Sequence, residues 1–509
     1  MVEERKTILI TGATSRAGQA LLLKLIDYNH FNIRILAEDN RRSKICLSKW
    51  QPAIKVVYGD INNLTAVRKA VQGADLIIHL AECNRQRSLK NPEQAMRTNF
   101  GGTRNIVLAL NELGQANKTS LVYLSSVAVL GDRRPPLCWG RAGDPIMPSI
   151  GDYYAVSKVA AERYVIDAGI KHWVSLRQTI VLDEQEFQKP DQRLFYNPLN
   201  NAVEYITLDD YVRLLFNLCR AYHDDDLPPE FWNHIYNIGG GMACRELTVG
   251  LYRSILAQKG ITRFANKILN PRTFAEQNYF GQYFLDSDKL NNYLDFQHDS
   301  LDDFYHRLAK LPEFNHNFSK SLADYTLGEK IVANSEAKKL RKLNRKKGGI
   351  RYTIEDDDKD FINLYFGGRK KFLDLPYTAD NFINMADLVD IHPLDHGYDV
   401  DKQKLDFADL KQVAAARGGK VLSFNMKPGD MATPKEFSCA KGHKFTASPK
   451  LVVEGGHWCP ICERVSWNYA ERAETDQLVG QVWYKLHAGE PDAEYPKAVN
   501  EYTVIDPAE

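Results

Sequence analysis

Near its start the chain contains a short apolar run that passes directly into a glycine-bearing turn and then into a helix-like stretch. The run begins at Ile8 and reaches Gly12, and the turn continues through Ser15 to Gly18. Gly12 permits a tight turn, and Gly18 permits close contact between a helix and a strand. Backbone N–H groups at a helix N-terminus, reinforced by the helix dipole, can receive a phosphate group. This segment therefore predicts the first strand, phosphate-binding turn and helix of a doubly wound domain.

Short β-rich runs then alternate with helix-like segments as far as about residue 230. Six runs are expected to form strands, namely 7–11, 32–37, 54–58, 76–80, 121–125 and 173–177. Such alternation predicts a Rossmann-type α/β fold, a parallel sheet with helices on both faces. Apolar residues dominate 19–27, so the helix after the first strand should be largely buried.

The chain is longer than one ordinary core requires, and its 509 residues predict two or three domains. We assign residues 1–310 to a nucleotide-binding domain, in which 183–310 form most of a smaller, aromatic substrate lobe. Residues 311–360 place a basic run beside an acidic run, which favours a charged linker or exposed helix over a nucleic-acid site. Residues 361–509 lack βα alternation and are expected to form an α+β region that binds zinc.

Charge and hydropathy limit the classes of protein to which this chain is expected to belong. The 66 Lys and Arg residues against 65 Asp and Glu residues give a net charge of +1, which removes the case for a globally basic nucleic-acid binder. The first residues lack the apolar region of a secretion signal, and no apolar stretch approaches the roughly 20 residues of a membrane span. Five of the eight cysteines are scattered, as reduced thiols would be. These features predict a cytoplasmic protein without membrane association.

Six motifs occur in the order that one large enzyme family shows. They are Thr11-Gly12 to Gly18, Gly59-Asp60-Ile61, His79-Leu80-Ala81, Asn99 to Thr103, Leu124-Ser125-Ser126 to Gly131, and Tyr154-Ala-Val-Ser-Lys158. Together they resemble the extended short-chain dehydrogenase/reductase family, the group of NAD-dependent epimerases and dehydratases. The resemblance covers about residues 6–310 and implies hydride transfer on a hydroxy or carbonyl substrate with NAD or NADP.

The resemblance also implies which residues bind the cofactor. They are Thr11, Gly12, Thr14, Ser15, Arg16, Ala17, Gly18, Glu38, Asp60, Ile61, Leu80, Ala81, Tyr154 and Lys158. Ser15 replaces the family's middle glycine, so its Cβ is expected to crowd the pyrophosphate unless Arg16 compensates by pairing with a phosphate. Glu38 favours NAD, because a carboxylate there accepts hydrogen bonds from the ribose 2′-OH. Arg41 and Arg42 leave NADP open, since they could bind a 2′-phosphate.

Tyr154 and Lys158 lie four residues apart and share one face of a helix. A phenol titrates at about 10, and a nearby ammonium lowers that pKa. Tyr154 is therefore predicted to exchange a proton with the substrate oxygen, while Lys158 also holds the nicotinamide ribose. Ser126 is predicted to hydrogen-bond the same oxygen, with Ser125 as the alternative because a shift of one residue changes the strand face. Asn99 is expected to order the site from behind.

The segment that wraps the nucleotide in relatives acting on nucleotide sugars is short here, at 27 residues from Asp183 to Asp209. A smaller hydroxy or carbonyl compound is therefore at least as good a candidate substrate. Four aromatic residues could line its pocket or pack in the core, namely Tyr279, Phe280, Tyr283 and Phe284. The resemblance further implies a homodimer formed through helices of the Rossmann domain.

Three cysteines cluster with histidine in the last third of the chain. Cys439-x3-His443 is followed, after 15 intervening residues, by Cys459-x2-Cys462. Four soft or borderline ligands on two tight turns are typical of a closed, structural zinc site. His457 is an alternative to His443, and a redox dithiol of Cys459 and Cys462 is an alternative to zinc.

Over residues 436–466 this pattern resembles zinc-ribbon and treble-clef modules, which make protein or nucleic-acid contacts. Two functions therefore stay open. The first is an NAD(P)-dependent oxidoreductase, supported by the complete set of Ser126, Tyr154 and Lys158. The second is a non-catalytic NAD-sensing regulator, or a nucleic-acid-associated or protein-binding protein that uses the zinc module, and it is favoured by Ser15 and the shortened segment.

Overall fold

The computed structural model describes most of the chain, in residues 5–314, 326–382, 390–464 and 467–488. Residues 1–4, 315–325, 383–389, 465–466 and 489–509 lie outside the described residues. The predicted segments 1–310, 311–360, 361–509 and 436–466 are therefore described only in part. Among the described residues, none of the helices is both long and apolar enough to cross a membrane.

Seven parallel strands form the central sheet. In chain order they are β1 (Thr7–Thr11), β2 (Asn32–Ala37), β3 (Ile54–Tyr58), β4 (Leu76–His79), β5 (Ser120–Ser126), β6 (Trp173–Gln178) and β7 (His234–Ile238). The order across the sheet is β7-β6-β5-β4-β1-β2-β3. Successive strands are added on one side of β1 as far as β3 and on its other side from β4 onwards, so the C-terminal ends of β1 and β4 open a crevice of the kind that binds ligands in doubly wound sheets. The predicted Rossmann-type α/β fold is confirmed.

The sheet is apolar on both faces because helices cover both. Leu9 packs into one core, with residues such as Ile77 and Leu121, while Ile8 and Ile10 pack into the core on the other face. Near-continuous apolar strands follow from this arrangement. β7 lies beyond residue 230, where no strand of the sheet was predicted, because its five residues, His-Ile-Tyr-Asn-Ile, mix polar and aromatic side chains.

The helices of the doubly wound domain follow the strands in turn. They are Arg16–Tyr28, Arg41–Ser48, Leu64–Val71, Arg85–Lys90, Pro92–Ala95, the π-helical Met96–Gly101, Gly102–Glu112, Tyr153–Ile166 and Leu208–His223. Most begin at a side chain that accepts a hydrogen bond from the first turn, as Asp152 does from the Ala155 N–H at 3.2 Å. Such caps fix where a helix begins.

A smaller lobe packs beside the C-terminal ends of the strands and has its own apolar core. Its helices are Glu184–Gln188, Thr248–Gln258, Ala265–Ile268 and Leu301–Leu308, whereas the Ser287–Leu294 helix packs Leu290 and Leu294 into the core of the doubly wound domain. Three pairs of short strands complete it: Val181–Leu182 with Ile206–Thr207, Ala202–Glu204 with Arg245–Leu247, and Trp139–Gly140 with Tyr283–Phe284.

Four further helices pack on this lobe, namely Thr326–Asn344, Ile350–Glu355, Lys359–Phe366 and Arg369–Asp374. The buried Glu329 carboxylate accepts the backbone N–H groups of Thr262 and Arg263 at 2.6 and 2.5 Å. The Asn344 side-chain amide donates to the Thr273 carbonyl at 2.8 Å. Basic and acidic residues of this stretch pair locally, as Arg351 and Glu355 do at 2.9 Å.

The remaining described residues, 390–464 and 467–488, form what we call the C-terminal module. An antiparallel sheet consists of Lys420–Val421, Lys435–Ser438 and Lys444–Ala447. Helices span Phe407–Ala416, Pro449–Val453, Pro460–Arg464, Tyr469–Ala473 and Gln477–Leu486. Phe437, Phe445 and Trp458 pack against one another, with ring centroids 5.2 to 5.6 Å apart. The apolar core of the module is continuous with the core under the Tyr153–Ile166 helix.

Candidate active site and zinc centre

The turn after β1 is built for close backbone approach. Gly12 has φ +74°, and a Cβ there would lie 2.6 Å from the carbonyl carbon of Leu80. A Cβ on Gly18 would lie 2.6 Å from the Gly12 carbonyl oxygen. Only glycine fits either position, because these neighbours are backbone atoms that cannot move aside. The turn therefore brings the start of the Arg16–Tyr28 helix against the ends of β1 and β4.

Ser15 occupies the N-cap position of that helix. Its φ of −70° and ψ of 164° are extended, a conformation that any residue adopts, and its Oγ accepts the Gly18 N–H at 3.0 Å. The serine thus supplies a helix cap at the position of the middle glycine in the family motif that this turn resembles. Arg16 next to it pairs with Asp183 at 2.5 Å and also hydrogen-bonds Gln185. The structure therefore gives Arg16 partners within the protein.

The residues predicted to select the cofactor's ribose lie at the open end of β2. The exposed Glu38 carboxylate accepts a hydrogen bond from the Asn40 amide at 2.7 Å. Arg41 and Arg42 border a shallow depression with Thr14. The exposed Asp60 accepts hydrogen bonds from the Asn62 backbone and amide, both at 2.9 Å. Of the other predicted cofactor-binding residues, Ile61 is buried and Ala17, Leu80 and Ala81 are partly buried. The Ala81 N–H donates to Thr11 Oγ1 at 3.1 Å.

A buried histidine fixes the ends of β1 and β4. His79 Nδ1 lies 2.7 Å from Thr11 Oγ1, and its Nε2 lies 3.0 Å from Thr103 Oγ1. Burial, with a smaller effect of the Lys158 charge, lowers the pKa of His79 to about 3. The imidazole is therefore neutral at physiological pH and acts as a fixed hydrogen-bonding bridge.

Tyr154 and Lys158 project from the same face of the Tyr153–Ile166 helix towards the end of β5. The Lys158 side chain is 3% exposed, and its Nζ donates to the Leu124 carbonyl at 2.7 Å. The ammonium lies 5.6 Å from the centroid of the Tyr154 ring. The four-residue spacing thus brings the phenol and the ammonium together, as the sequence analysis expected.

Glu82 is the residue of this site that the sequence analysis missed. Its Oε2 lies 2.9 Å from the Tyr154 hydroxyl and 3.1 Å from Lys158 Nζ. Burial first, and then the Glu82 carboxylate, hold the pKa of Tyr154 well above its ordinary range, while a hydrogen bond with Ser126 opposes this shift. Glu82 directly follows the His79-Leu80-Ala81 motif. This position was the one signal in the sequence that could have identified it as a residue of the site.

The predicted polar partners lie around the same point. Ser126 is buried and its Oγ accepts the Ala128 N–H at 3.2 Å. Ser125 is also buried, and its Oγ has no hydrogen-bond partner in the described part of the chain. Asn99 donates to Ser157 Oγ at 2.8 Å and accepts the Cys83 N–H at 2.6 Å. Asn99 therefore ties the segment after β4, which carries Glu82, to the helix that carries Tyr154.

The four aromatic residues of the lobe separate into two pairs. Tyr283 and Phe284 are each 1% exposed and belong to the core. Tyr279 and Phe280 stack with centroids 4.8 Å apart and are partly exposed. The Arg85 guanidinium lies over both rings, 4.2 and 4.9 Å from their centroids. Arg85 begins the helix that follows Glu82, so this second pair is the one near the site.

The four predicted metal ligands converge in the C-terminal module. Cys439, His443, Cys459 and Cys462 place their ligand atoms within 4.8 Å of one another. His443 Nδ1 lies 3.4, 3.6 and 3.4 Å from the three sulfurs, in that order. A hydrogen bond from Cys462 lowers the pKa of Cys459, so a thiolate is favoured within the cluster. Three sulfurs and one imidazole nitrogen match the donor set of a closed zinc site.

His457, the alternative ligand, points away from this cluster. Its Nε2 lies 3.3 Å from Glu162 and its Nδ1 lies 3.4 Å from Glu463. Glu162 and His457 are both fully buried. Glu162 also binds Arg177, with Nη2 to Oε1 at 2.6 Å. Burial alone would raise the pKa of Glu162, but Arg177 and His457 together hold it below its usual range.

This buried network joins the C-terminal module to the doubly wound domain. Arg177 Nη2 donates to the Gly455 carbonyl at 2.6 Å, and Arg163 donates to the Trp458 carbonyl at 2.9 Å. Tyr469 donates to the Pro148 carbonyl at 2.6 Å. The module therefore covers part of the outer side of the helix that presents Tyr154 at its other end.

A sequence model described as the NAD dependent epimerase/dehydratase family matches residues 8–182. UDP-glucose 4-epimerase of Rickettsia canadensis (strain McKiel) is 32% identical over 112 residues, which cover 20% of this chain and 32% of that protein. The 3beta-hydroxysteroid-dehydrogenase/decarboxylase isoform 1 of Arabidopsis thaliana is 25% identical over 179 residues, which cover 33% of this chain and 39% of that protein. The matches span less than half the length of these two relatives.

Among solved structures, one similar chain is DesIV, a dTDP-glucose 4,6-dehydratase from Streptomyces venezuelae with NAD bound. The superposition has a TM-score of 0.47 at 18% sequence identity, and it covers 61% of this chain and 97% of that chain. The family model ends at residue 182, so it leaves the C-terminal module unmatched.

Proposed function

We propose that this protein is an NAD(P)-dependent oxidoreductase of the epimerase/dehydratase type, acting on a hydroxy or carbonyl substrate. The observation that carries the proposal is the meeting of Tyr154, Lys158 and Ser126 at the end of β5, beside the glycine turn of Gly12. The match of the epimerase/dehydratase model to residues 8–182 supports the same class of enzyme.

The residues present fit a dinucleotide. Gly12 and Gly18 let the turn pack against neighbouring backbone, which exposes no side chain at these two positions, and the helix N-terminus beside the turn favours a phosphate group. Ser15 supports this fit because it caps the helix without an unusual backbone conformation. The exposed Glu38 directly follows β2, where its carboxylate suits the ribose hydroxyl of NAD better than a 2′-phosphate. When bound, the nicotinamide accepts or delivers the hydride.

Residues of this chain transfer the proton to and from the substrate oxygen. In our proposal Tyr154 gives a proton to the substrate oxygen during reduction and takes it back during oxidation. Ser126 hydrogen-bonds the same oxygen as its charge changes, and Lys158 favours the phenolate by its positive charge. Asn99 holds the segment after β4 against the helix and acts as a positioning residue.

We expect a compact substrate. The Asp183–Asp209 segment is short, and its first residue pairs with Arg16 across the mouth of the phosphate turn. The stacked Tyr279 and Phe280 offer a flat aromatic wall, and the Arg85 guanidinium over them is paired with the buried Asp152 at 3.2 Å. The named relatives act on a nucleotide sugar and on a hydroxysteroid, so both kinds of compound belong in the first panel of substrates.

The test compares Tyr154→Phe with the wild type. Loss of the hydroxyl should lower turnover of a responsive substrate by about 10²- to 10⁴-fold, because general acid–base catalysis contributes that much. Binding of NADH should persist, since the variant keeps the glycine turn and Lys158. Tyr153→Phe is the matched control, one residue away on the same helix. Equal turnover in the wild type and Tyr154→Phe would overturn the proposed mechanism.

For the C-terminal module we propose a structural zinc ion held by Cys439, His443, Cys459 and Cys462. The module's role in this proposal is intramolecular, because its polar contacts are directed at the doubly wound domain. Arg163, Arg177 and Glu162 engage its Gly455 to Glu463 segment. A homodimer through the same side of the Tyr153–Ile166 helix would then require a surface that the module already covers in part.

A non-catalytic NAD sensor is the second candidate, and Glu82 is the observation that favours it. Its carboxylate accepts the hydrogen bond of the Tyr154 hydroxyl and forms an ion pair with Lys158. A sensor should bind NADH without turning over any member of a broad carbonyl panel, whereas the oxidoreductase should reduce at least one. Binding of DNA or RNA that weakens with added salt would support a nucleic-acid role for the module.

A further inference from the structure

One oxygen atom links the two groups on which the proposed chemistry depends. Oε2 of Glu82 lies 2.9 Å from the Tyr154 hydroxyl and 3.1 Å from Lys158 Nζ. Tyr154 donates a hydrogen bond to this oxygen, since a carboxylate accepts only, and Lys158 forms an ion pair with it. The other described partner of Lys158 Nζ is the carbonyl of Leu124 at 2.7 Å. Tyr154 has a single O–H, so a ligand that accepts a hydrogen bond from it must displace the Glu82 carboxylate and separate the ion pair with Lys158.

The electrostatic effect of Glu82 opposes the effect of Lys158. An ammonium close to a phenol favours its ionised form, whereas a carboxylate hydrogen-bonded to that phenol favours the neutral form. The pKa of Tyr154 is accordingly held well above its ordinary range, by burial and then by Glu82. With Glu82 in this position, Lys158 is neutralised by an ion pair and Tyr154 is a weak proton donor.

The position of Glu82 allows its carboxylate to move away from Tyr154 and Lys158. Its side chain is 35% exposed, whereas that of Lys158 is 3% exposed. It lies in the short segment between the end of β4 at His79 and the helix that begins at Arg85, outside both elements. Rotation of its side chain would move the carboxylate into solvent without changing the buried contacts of Asn99 that hold this segment.

We propose that Glu82 is an internal competitor of the dinucleotide, whose carboxylate holds Tyr154 and Lys158 until the cofactor displaces it. The inference rests on the proposed function, because it requires that the cofactor use these donors. On this proposal Glu82 lowers the affinity of the protein for its cofactor. Glu82 lies outside the six motifs shared with the family.

The experiment measures NADH and NADPH binding by titration calorimetry on the full-length wild type, Glu82→Ala and Glu82→Gln. We expect Glu82→Ala to bind the preferred cofactor about tenfold more tightly, since one charge-assisted contact no longer has to be broken. Glu82→Gln should show a smaller gain, because the amide keeps the size of the side chain and loses the charge. Glu93→Gln is the charge-matched control, on the nearby Pro92–Ala95 helix, and should bind as the wild type does.

The outcomes separate the inference from the proposed function. Tighter binding by Glu82→Ala, including binding that appears only in this variant, supports the inference. Binding that is unchanged or weaker than that of the wild type overturns it and leaves the oxidoreductase proposal in place. If neither cofactor binds to any of the four proteins, both proposals fail. A thermal melt of each variant confirms that the comparison is made on folded protein.

Discussion

Arg177 in β6 donates a 2.6 Å hydrogen bond to the carbonyl of Gly455, which lies 278 residues later in the chain. The guanidinium and its other partner, Glu162, are both fully buried. The contact therefore joins the central sheet to the C-terminal module without access of water. A buried charged residue of this kind is costly to leave unpaired.

Replacing Arg177 by Met should destabilise the protein by about 3 to 5 kcal/mol, because Glu162 would keep a buried charge without its main partner. Chemical denaturation followed by tryptophan fluorescence measures the loss. Arg193→Met is the control, since Arg193 is 53% exposed in its pair with Asp191, and it should change stability by at most about 0.5 kcal/mol. Equal effects of the two substitutions would contradict the role given to the buried network.

Gly12→Ala should abolish measurable NADH binding and also lower stability. The alanine Cβ would meet the Leu80 carbonyl carbon at 2.6 Å, in addition to the strain of φ +74°. Gly73→Ala is a matched control, because Gly73 has φ +69° and nothing within 4 Å of the added Cβ. Backbone strain alone should cost each variant about 1 to 3 kcal/mol. Retained NADH affinity in folded Gly12→Ala would show that the turn does not form the phosphate site.

The zinc proposal predicts about one zinc per purified chain, as a single four-ligand site requires. Cys462→Ser should lose most of this metal and lower the melting temperature, because the module's turns depend on the ion. Cys46→Ser is the control, since Cys46 is a free thiol outside the cluster. Elemental analysis measures the zinc content, and differential scanning fluorimetry measures the melting temperature. A wild-type protein that is folded and free of metal would contradict the site.

The buried His79 predicts a specific acid sensitivity. Its pKa falls from 6.5 to about 3 on folding, so the unfolded chain binds a proton more readily than the folded one between these values. The contribution of His79 to stability is therefore complete above pH 6.5 and declines as the pH falls towards about 3. His79→Gln keeps hydrogen-bonding groups for Thr11 and Thr103 and removes the titration.

Unfolding free energies measured across this pH range should fall less steeply for His79→Gln than for the wild type. Carboxylates titrate in both proteins, so the difference between the two curves isolates His79. Parallel curves would show that the imidazole does not change its pKa on folding.

Local features at both ends of the chain could be predicted from the sequence. The six predicted strands lie where the structure has them, within two residues at each end, because apolar β-runs and glycine turns are local signals. The spacing of Cys439, His443, Cys459 and Cys462 likewise predicted a cluster that the fold forms. In both cases the information lies in residues that are close together in the chain.

Other features depended on contacts between distant segments. β7 was missed because its polar and aromatic residues become a strand only through pairing with β6. Glu82 was missed because nothing near it in sequence shows that its carboxylate reaches Tyr154, 72 residues later. The surface on which the module docks was likewise left open by the sequence, since the contact between Arg177 and Gly455 spans 278 residues.

The sequence by itself thus determined the doubly wound domain, the spacing of Tyr154 and Lys158, and the four sulfur and nitrogen donors of the zinc motif. Periodicity, turn chemistry and ligand spacing are properties of short segments, and they can be read without the fold. Tertiary structure decided which carboxylate faces Tyr154, and that the module lies against the helix of Glu162. Burial and pairing of charges arise only when distant segments pack together, because they depend on which groups exclude water from one another.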